Sequence, residues 1–223
     1  MAHPFTLLKK RNLSCTGVLQ VGASYGQEVE AIADSGASIS ILVEALPEQF
    51  KHLSEKISKY QNMFAVNALC SDKSGELVDF NIASNTGMSS SLLKPGVHER
   101  VYPEVKFISR RQFKTISVDD LFSFVSENVG GSLSSINTML MDVQGAEHLV
   151  LKGASSTLKQ IDYIFCEVSY GGLYEGDYSL EELQGFLMKN DYRLCWLSIK
   201  REGWGDALFV RSHFFDIFQQ HND

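Results

Sequence analysis

Two glycines four residues apart mark the first place where this chain can do chemistry. In the run Val21-Gly22-Ala23-Ser24-Tyr25-Gly26-Gln27, Gly22 and Gly26 let a strand turn sharply into a helix while the backbone closely approaches a ligand. A dinucleotide site uses three glycines, spaced to admit a pyrophosphate at the helix N-terminus. Here Ala23 and Ser24 follow Gly22, so that spacing fails. The turn suits a ligand end without phosphates, such as the amino acid end of S-adenosylmethionine. Glu44 follows the apolar run Ser-Ile-Leu-Val, roughly twenty residues beyond the glycine turn, where an acidic side chain accepts hydrogen bonds from ribose hydroxyls. Together the turn and the carboxylate point to an adenosine-containing cofactor.

The 223 residues fit one domain with a substantial core, and the hydrophobic fraction of 44% and charged fraction of 21% are those of an ordinary globule. A formal charge of −7 argues against wrapping DNA or RNA by broad phosphate neutralisation. Arg110, Arg111 and Lys114 form a small basic cluster that reads first as a solvated strand or loop. Cys15, Cys70, Cys166 and Cys195 form no C-x-x-C pair, and the last three lie in apolar runs, as buried free thiols do in a reducing compartment. The N-terminus lacks a signal-peptide apolar region, and no apolar stretch is long enough to span a membrane. These features predict a cytoplasmic protein that contacts neither DNA nor membrane.

The elements that must position the site alternate in type. Strands are predicted at 17–22, 38–44, 63–70, 136–142 and 162–169, with helices at 26–36, 47–60, 118–131, 146–160 and 179–192. Ser179 and Glu182 match a capping box at the start of the last of these helices. Residues 71–82 can turn at Ser74-Gly75 into an extra edge strand, and 84–110 reads as a long loop, a natural lid. Residues 193–200 and 206–212 predict a closing hairpin, followed by a short helix at 213–221. This rhythm means right-handed βαβ units and a doubly wound, mostly parallel α/β sheet. Its terminal antiparallel hairpin strand resembles the class I methyltransferase, Rossmann-like pattern. One domain is predicted over 1–223, with an extension at 1–16, the lid at 84–110 and a C-terminal helix within 212–223. Fold alone does not settle function.

A longer set of motifs narrows the class. The run Asp142-Val-Gln-Gly-Ala-Glu147, followed by Val150-Leu-Lys-Gly-Ala154, closely resembles the signature of the FkbM-type methyltransferases. Other pieces match in order: V-G-A-x-x-G-Q at 21–27, V-E-A-x-P-E-x-F at 43–50, and N-x-L-x-S-D-K-x-G at 67–75. Ser90-Ser91-Leu92 and Val118-Asp-Asp-Leu121 also fit, so the resemblance runs from about residue 17 to residue 210. It implies O-methyl transfer from S-adenosylmethionine to a hydroxyl of a sugar or hydroxylated natural product. It also implies a cofactor site of Gly22, Ala23, Ser24, Gly26, Glu44, Ala45, Leu69 and Asp142. Two departures stand out. Gln20 replaces the acidic residue that often precedes the glycine turn, which leaves one contact to the cofactor's amino group missing or water-mediated. Ala45 and Leu46 replace a more usual proline and asparagine.

Removing an alcohol proton requires a carboxylate or imidazole near the methyl, or a metal that lowers the hydroxyl's pKa. Ligands in open α/β sheets lie beyond the carboxyl ends of the strands. Asp142 ends one predicted strand, Glu147 lies in the next turn, and Glu167 stands near the end of another. These three acids could share a divalent ion, or one could act as base, while Glu147 could instead cap backbone donors at the helix start. His98 on the lid is the alternative base, and His148 reads as helix surface. Met88 to Ser91 on the lid, and Tyr170 to Tyr174 opposite, are candidate walls for an acceptor that is a small molecule or glycan. An RNA methyltransferase and a nicotinamide-dependent oxidoreductase are the rival readings. A homo-oligomer stays open.

Overall fold

Short apolar runs flanked by amphipathic helices build the centre of the computed structural model, which describes residues 4–128 and 133–219. The chain begins with α1 (Pro4–Lys9), β1 (Val18–Val21), α2 (Val29–Asp34), β2 (Ser40–Glu44), α3 (Pro47–Ile57) and β3 (Met63–Asn67). It continues through β4 (Leu69–Cys70), β5 (Leu77–Ala83), α4 (His98–Val101), β6 (Phe107–Ile116) and α5 (Val118–Asn128). The remainder is β7 (Thr138–Met141), α6 (Glu147–Lys152), β8 (Tyr163–Ser169), α7 (Leu180–Lys189), β9 (Tyr192–Ile199), β10 (Trp204–Arg211) and α8 (Phe215–Gln219).

Seven strands form the main sheet in the order β3-β2-β1-β7-β8-β10-β9. The first five are parallel, and β10 and β9 are antiparallel. A parallel sheet must be covered on both faces, which is why its strands are apolar throughout rather than alternating. On one face Leu19, Val21, Met139 and Met141 pack with Leu121, Val150, Leu151 and Leu187 from α5, α6 and α7. On the other, Val18, Leu42 and Leu140 pack with Val29, Ile32, Leu53 and Ile57 from α2 and α3. The capping box forms: the Ser179 amide donates to Glu182 at 2.9 Å and the Glu182 amide to Ser179 Oγ at 3.3 Å.

Three expectations change. The predicted strand 63–70 divides, because Leu69 and Cys70 leave the main sheet and pair in parallel with Thr115 and Ile116. The extra strand forms at Leu77–Ala83, but its partner is β6, whose first residues, 107–110, fall within the predicted loop. Ile108, Arg110, Gln112 and Lys114 of β6 face solvent, so no apolar alternation marks it, and the basic cluster is a solvated strand. The predicted helix 146–160 breaks at Gly153, where a Cβ would lie 2.1 Å from the Ser71 carbonyl oxygen. The chain resumes as a 3₁₀ turn, Thr157–Lys159, whose Ser156 and Thr157 amides donate to the Asp119 carboxylate. The four cysteines are free, Cys70 and Cys166 buried, Cys15 and Cys195 only half-buried. The ends of the predicted helices 118–131 and 213–221, and the outer residues of the 1–16 and 212–223 segments, lie outside the described residues.

The strand registers place the site. Val21 pairs with Val43 on one side and Met141 on the other, Met141 pairs with Cys166, and Asp206 pairs with Glu167. One step further along, Glu44, Gly22, Asp142 and Glu167 stand abreast at the sheet's carboxyl edge, with Asp206 beside them. Gly22 holds φ +81°, and a Cβ there would lie 1.9 Å from the Asp142 carbonyl oxygen. Gly22→Ala is therefore expected to cost at least about 2 kcal/mol of stability, combining left-handed strain with a backbone clash. Urea unfolding that leaves the midpoint unchanged would refute this account of the turn.

Candidate active site

The row of strand ends opens into a cavity of about 640 Å³. Glu44 is 7% exposed. The amides of Ser24 and Leu46 donate to its carboxylate at 2.7 and 2.8 Å. Burial raises its pKa, and those two amide bonds oppose the rise. Gly22, Ser24, Ala45, Leu69 and Asp142 line the same cavity. Ala23 is packed into the core, and Gly26 sits behind the turn, its carbonyl accepting from Lys56 Nζ at 2.6 Å, so neither lines the cavity. Gln20 lines it and is 6% exposed, and its Oε1 has no hydrogen-bond partner. Ser24 Oγ is likewise unpartnered.

Asp142 and Glu167 meet over one amide. Gln144 Nε2 donates to Asp142 Oδ1 at 2.6 Å and to Glu167 Oε2 at 3.0 Å. Asp142 is exposed to the cavity, and desolvation by the protein around it raises its pKa, with the Gln144 hydrogen bond opposing. Glu167 rises further, well above the ordinary carboxylate range, through burial and then the charges of Asp142, Glu147 and Asp206. Asp206 is raised by burial and by Asp142, with Lys200 opposing.

Glu147 does not line this cavity. Its carboxylate accepts the Val143 amide at 3.0 Å, tying down the turn that carries Asp142, and burial lifts its pKa to about 7. That is the capping arrangement, and it removes Glu147 from any shared ion. Among the described residues no three carboxylate, imidazole or thiolate side chains converge in metal-binding geometry. The three-acid metal centre held open by the sequence is therefore not formed.

The lid is shorter and better anchored than expected. Residues 107–110 belong to β6 and 98–101 to α4. Ser91 pairs with Asn81 through two backbone bonds, and its Oγ donates to the Gln144 carbonyl at 2.7 Å. Pro95 bridges Tyr174, and the amides of Gly96 and His98 donate to the Leu173 carbonyl. His98 lines the cavity but is 4% exposed, caged by Tyr102, Phe107 and Tyr174 at 5.2 to 5.5 Å between ring centroids. Burial lowers its pKa, which keeps the ring neutral. His148 is buried rather than on the helix surface, stacked on Tyr178 at 4.2 Å and away from the cavity. Met88, Ser89, Ser90 and Tyr174 form cavity walls, while Tyr170 is 68% exposed and does not.

Several lining residues went unread. Gln144 lies inside the D-V-Q-G-A-E run but had no assigned role. Lys200, Trp204 and Asp206 sit on the closing hairpin, with Lys200 Nζ 3.2 Å from the Trp204 ring centroid. Trp204 Nε1 donates to Tyr102 Oη, which joins the hairpin to the strap after α4.

A glycine turn, a carboxylate on the neighbouring strand and a terminal antiparallel hairpin define the Rossmann-like methyltransferase class. The sequence profile of the Methyltransferase FkbM domain matches residues 20–194, and the chain belongs to that family. It is 27% identical over 177 residues to the 2-O-methyltransferase NoeI of Sinorhizobium fredii, covering 76% of this chain and 70% of that protein. A SAM-dependent methyltransferase from Aquifex aeolicus shares the fold, with a TM-score of 0.50, 12% identity, and coverage of 93% of this chain and 89% of that one. Fibrillarin from Aeropyrum pernix superposes with a TM-score of 0.46 at 11% identity, covering 88% and 67%. No helix among the described residues is long and apolar enough to cross a membrane.

The Glu147 geometry has a measurable consequence. Its folded pKa is raised, so its contribution to stability is full below its unfolded value of about 4.5 and is lost as pH rises through about 7. Glu147→Gln keeps an acceptor for the Val143 amide and cannot ionise. The stability difference between variant and wild type should therefore shift in favour of the variant by up to about 3 kcal/mol between pH 4.5 and 8. Parallel urea curves with a pH-independent difference would exclude a buried, proton-holding Glu147.

Proposed function

We propose that this methyltransferase uses S-adenosylmethionine to O-methylate a hydroxyl of a sugar or hydroxylated natural product. The observation that carries the reading is the row Glu44–Gly22–Asp142 inside one cavity, a ribose acceptor, a gap and a base set side by side. Kinship with a protein named as a 2-O-methyltransferase supports oxygen as the acceptor atom.

The residues fit such a donor. Glu44 keeps acceptor capacity on both oxygens beyond its two amide bonds, enough for ribose hydroxyls. Gly22 lets the backbone of the turn line the cavity in a left-handed conformation close against Asp142, and the orphaned Gln20 Oε1 offers a neutral acceptor for an ammonium where an acid is more usual. When bound, the donor supplies an activated methyl whose carbon–sulfur bond breaks with both electrons staying on sulfur. Asp142 is the group placed to take the acceptor's hydroxyl proton as the new oxygen–carbon bond forms. Anchored walls at Ser89, Ser90 and Tyr174 hold the acceptor side without large motion, which favours alignment over induced closure.

An RNA acceptor fits this cavity poorly. Among the described residues Glu28, Glu44, Glu104, Asp142, Glu167 and Asp206 line it with Lys200, the reverse of the balance that a phosphate backbone requires. A nicotinamide cofactor would lack the middle glycine of its turn.

Calorimetry with S-adenosylhomocysteine tests the donor site: Glu44→Ala should weaken binding by about 2 kcal/mol, and NADH should show no heat. Unchanged affinity would take Glu44 out of the site. A screen of hydroxylated acceptors with methyl-labelled S-adenosylmethionine tests the reaction. With an active acceptor, Asp142→Asn should lower turnover by at least about 10²-fold. Near-normal turnover would move the base elsewhere, to His98 first.

A further inference from the structure

Asp142 and Glu167 come from different strands, yet a single amide nitrogen binds both. The orientation of that amide is set by its other end. Gln144 Oε1 accepts from Tyr174 Oη at 3.0 Å, so the two hydrogens of Nε2 point at the two carboxylates, one each. The backbone is shaped for this. Gln144 sits at φ +55° and Gly145 at φ +91°, where a Cβ on Gly145 would strike the Tyr174 ring at 2.8 Å. Ser91 Oγ holds the Gln144 carbonyl from the opposite side.

We propose that Asp142 and Glu167 work as a pair sharing one proton beneath the Gln144 amide, with Glu167 neutral and Asp142 ionised, and that Gln144 is the positioning residue of the pair. Two carboxylates held against one amide nitrogen disfavour each other's ionisation, and one proton kept between them relieves the repulsion. The surroundings decide which one keeps the proton. Glu167 is flanked by Asp206 in register and faced by Glu147, so it meets negative charge from two further elements. Asp142 faces Glu28, Glu44, Glu147 and Asp206 too, so the difference between the two acids is that Asp142 is exposed to the cavity and has Lys200 nearby, whereas Glu167 is held deeper. The pair then has a standing base, Asp142, beside a neutral donor that holds it in place. In turnover the acceptor's oxygen bonds the methyl carbon, the carbon–sulfur bond breaks onto sulfur, and the hydroxyl proton passes to Asp142. The pair holds two protons until one leaves to water. This catalytic role rests on the proposed methyl transfer, whereas the shared proton does not.

The test reads the protein without donor or acceptor. Side-chain carboxyl carbons are labelled in aspartate and glutamate, and Asp142 and Glu167 are followed by NMR across pH. The expected result is a coupled titration, with the Asp142 signal moving in two steps and Glu167 releasing its proton well above the ordinary carboxylate range. Asp142→Asn should move the Glu167 titration back toward acid. Glu167→Gln should leave Asp142 a single step. Independent titrations of both groups in the ordinary range overturn the pair, whatever the enzyme's activity. Gln144→Met, similar in size but without the donor, should lower kcat and move its pH profile. An unchanged profile overturns the positioning role. Glu167→Gln keeps a neutral donor but cannot release a proton, so it should abolish the alkaline feature of the profile. An alkaline feature that survives Glu167→Gln overturns the assignment of the held proton to Glu167.

Discussion

Like charges set abreast by a parallel register are the constraint on which this structure turns. The parallel strands β2, β7 and β8 run to one edge, where antiparallel β10 begins, so Glu44, Asp142, Glu167 and Asp206 cannot avoid one another. Backbone and amide donors offset what burial imposes. Glu44 receives two amides, Glu147 receives one, and Asp142 and Glu167 divide the hydrogens of a single glutamine. Burial raises the pKa of each of these acids, most of all Glu167, and the donors to Glu44, Asp142 and Glu147 oppose the rise. Gly22 interrupts the row, and the break is where the backbone of β1 approaches that of Asp142.

The second, smaller sheet serves the same row from above. β4 leaves the main sheet directly after Asn67, whose side chain donates to the Glu44 and Ala45 carbonyls. β5 then carries Asn81, which fixes Ser91, and Ser91 in turn fixes the turn bearing Gln144. The roof is thus continuous by hydrogen bonds with the floor. Met88 to Ser90 are walls held by this chain of contacts, and Tyr174 joins them by reaching both the Ser89 carbonyl and Gln144.

Much of the frame was legible in the residues because it depends on local rules. The unbroken apolar run of β1, the β-branched run of β2 and the Ser179–Glu182 box each satisfy a nearest-neighbour condition. β6 was not legible, since ten residues with a solvated face carry no alternation, and its partner β5 is found only in three dimensions. The position of Glu44 at a strand end could be read directly. The role of Gln144 could not, because it rests on a left-handed backbone and on a tyrosine thirty residues away. Asp206 was hidden for a third reason: a hairpin's register decides which of its residues faces Glu167. Glu147 shows the reverse case, a conspicuous acid inside the strongest motif that is spent on a backbone amide.

The cavity's two halves have different ancestries of constraint. Its floor is made of strand ends whose mutual spacing is fixed by the sheet, so a change at Gly22 or Asp142 is felt in the backbone as well as in the cavity. Its far wall is assembled from the tips of separate excursions: Tyr102 and Glu104 after α4, Lys200 and Trp204 at the hairpin bend, Pro4 at the first helix. The contact between Trp204, at the start of β10, and Tyr102 ties two of these excursions together at the edge of the floor. Such tips tolerate exchange in length and composition while the floor stays put. The outline of the cavity's far wall is therefore set by three short segments that can change without moving the strand ends beneath them.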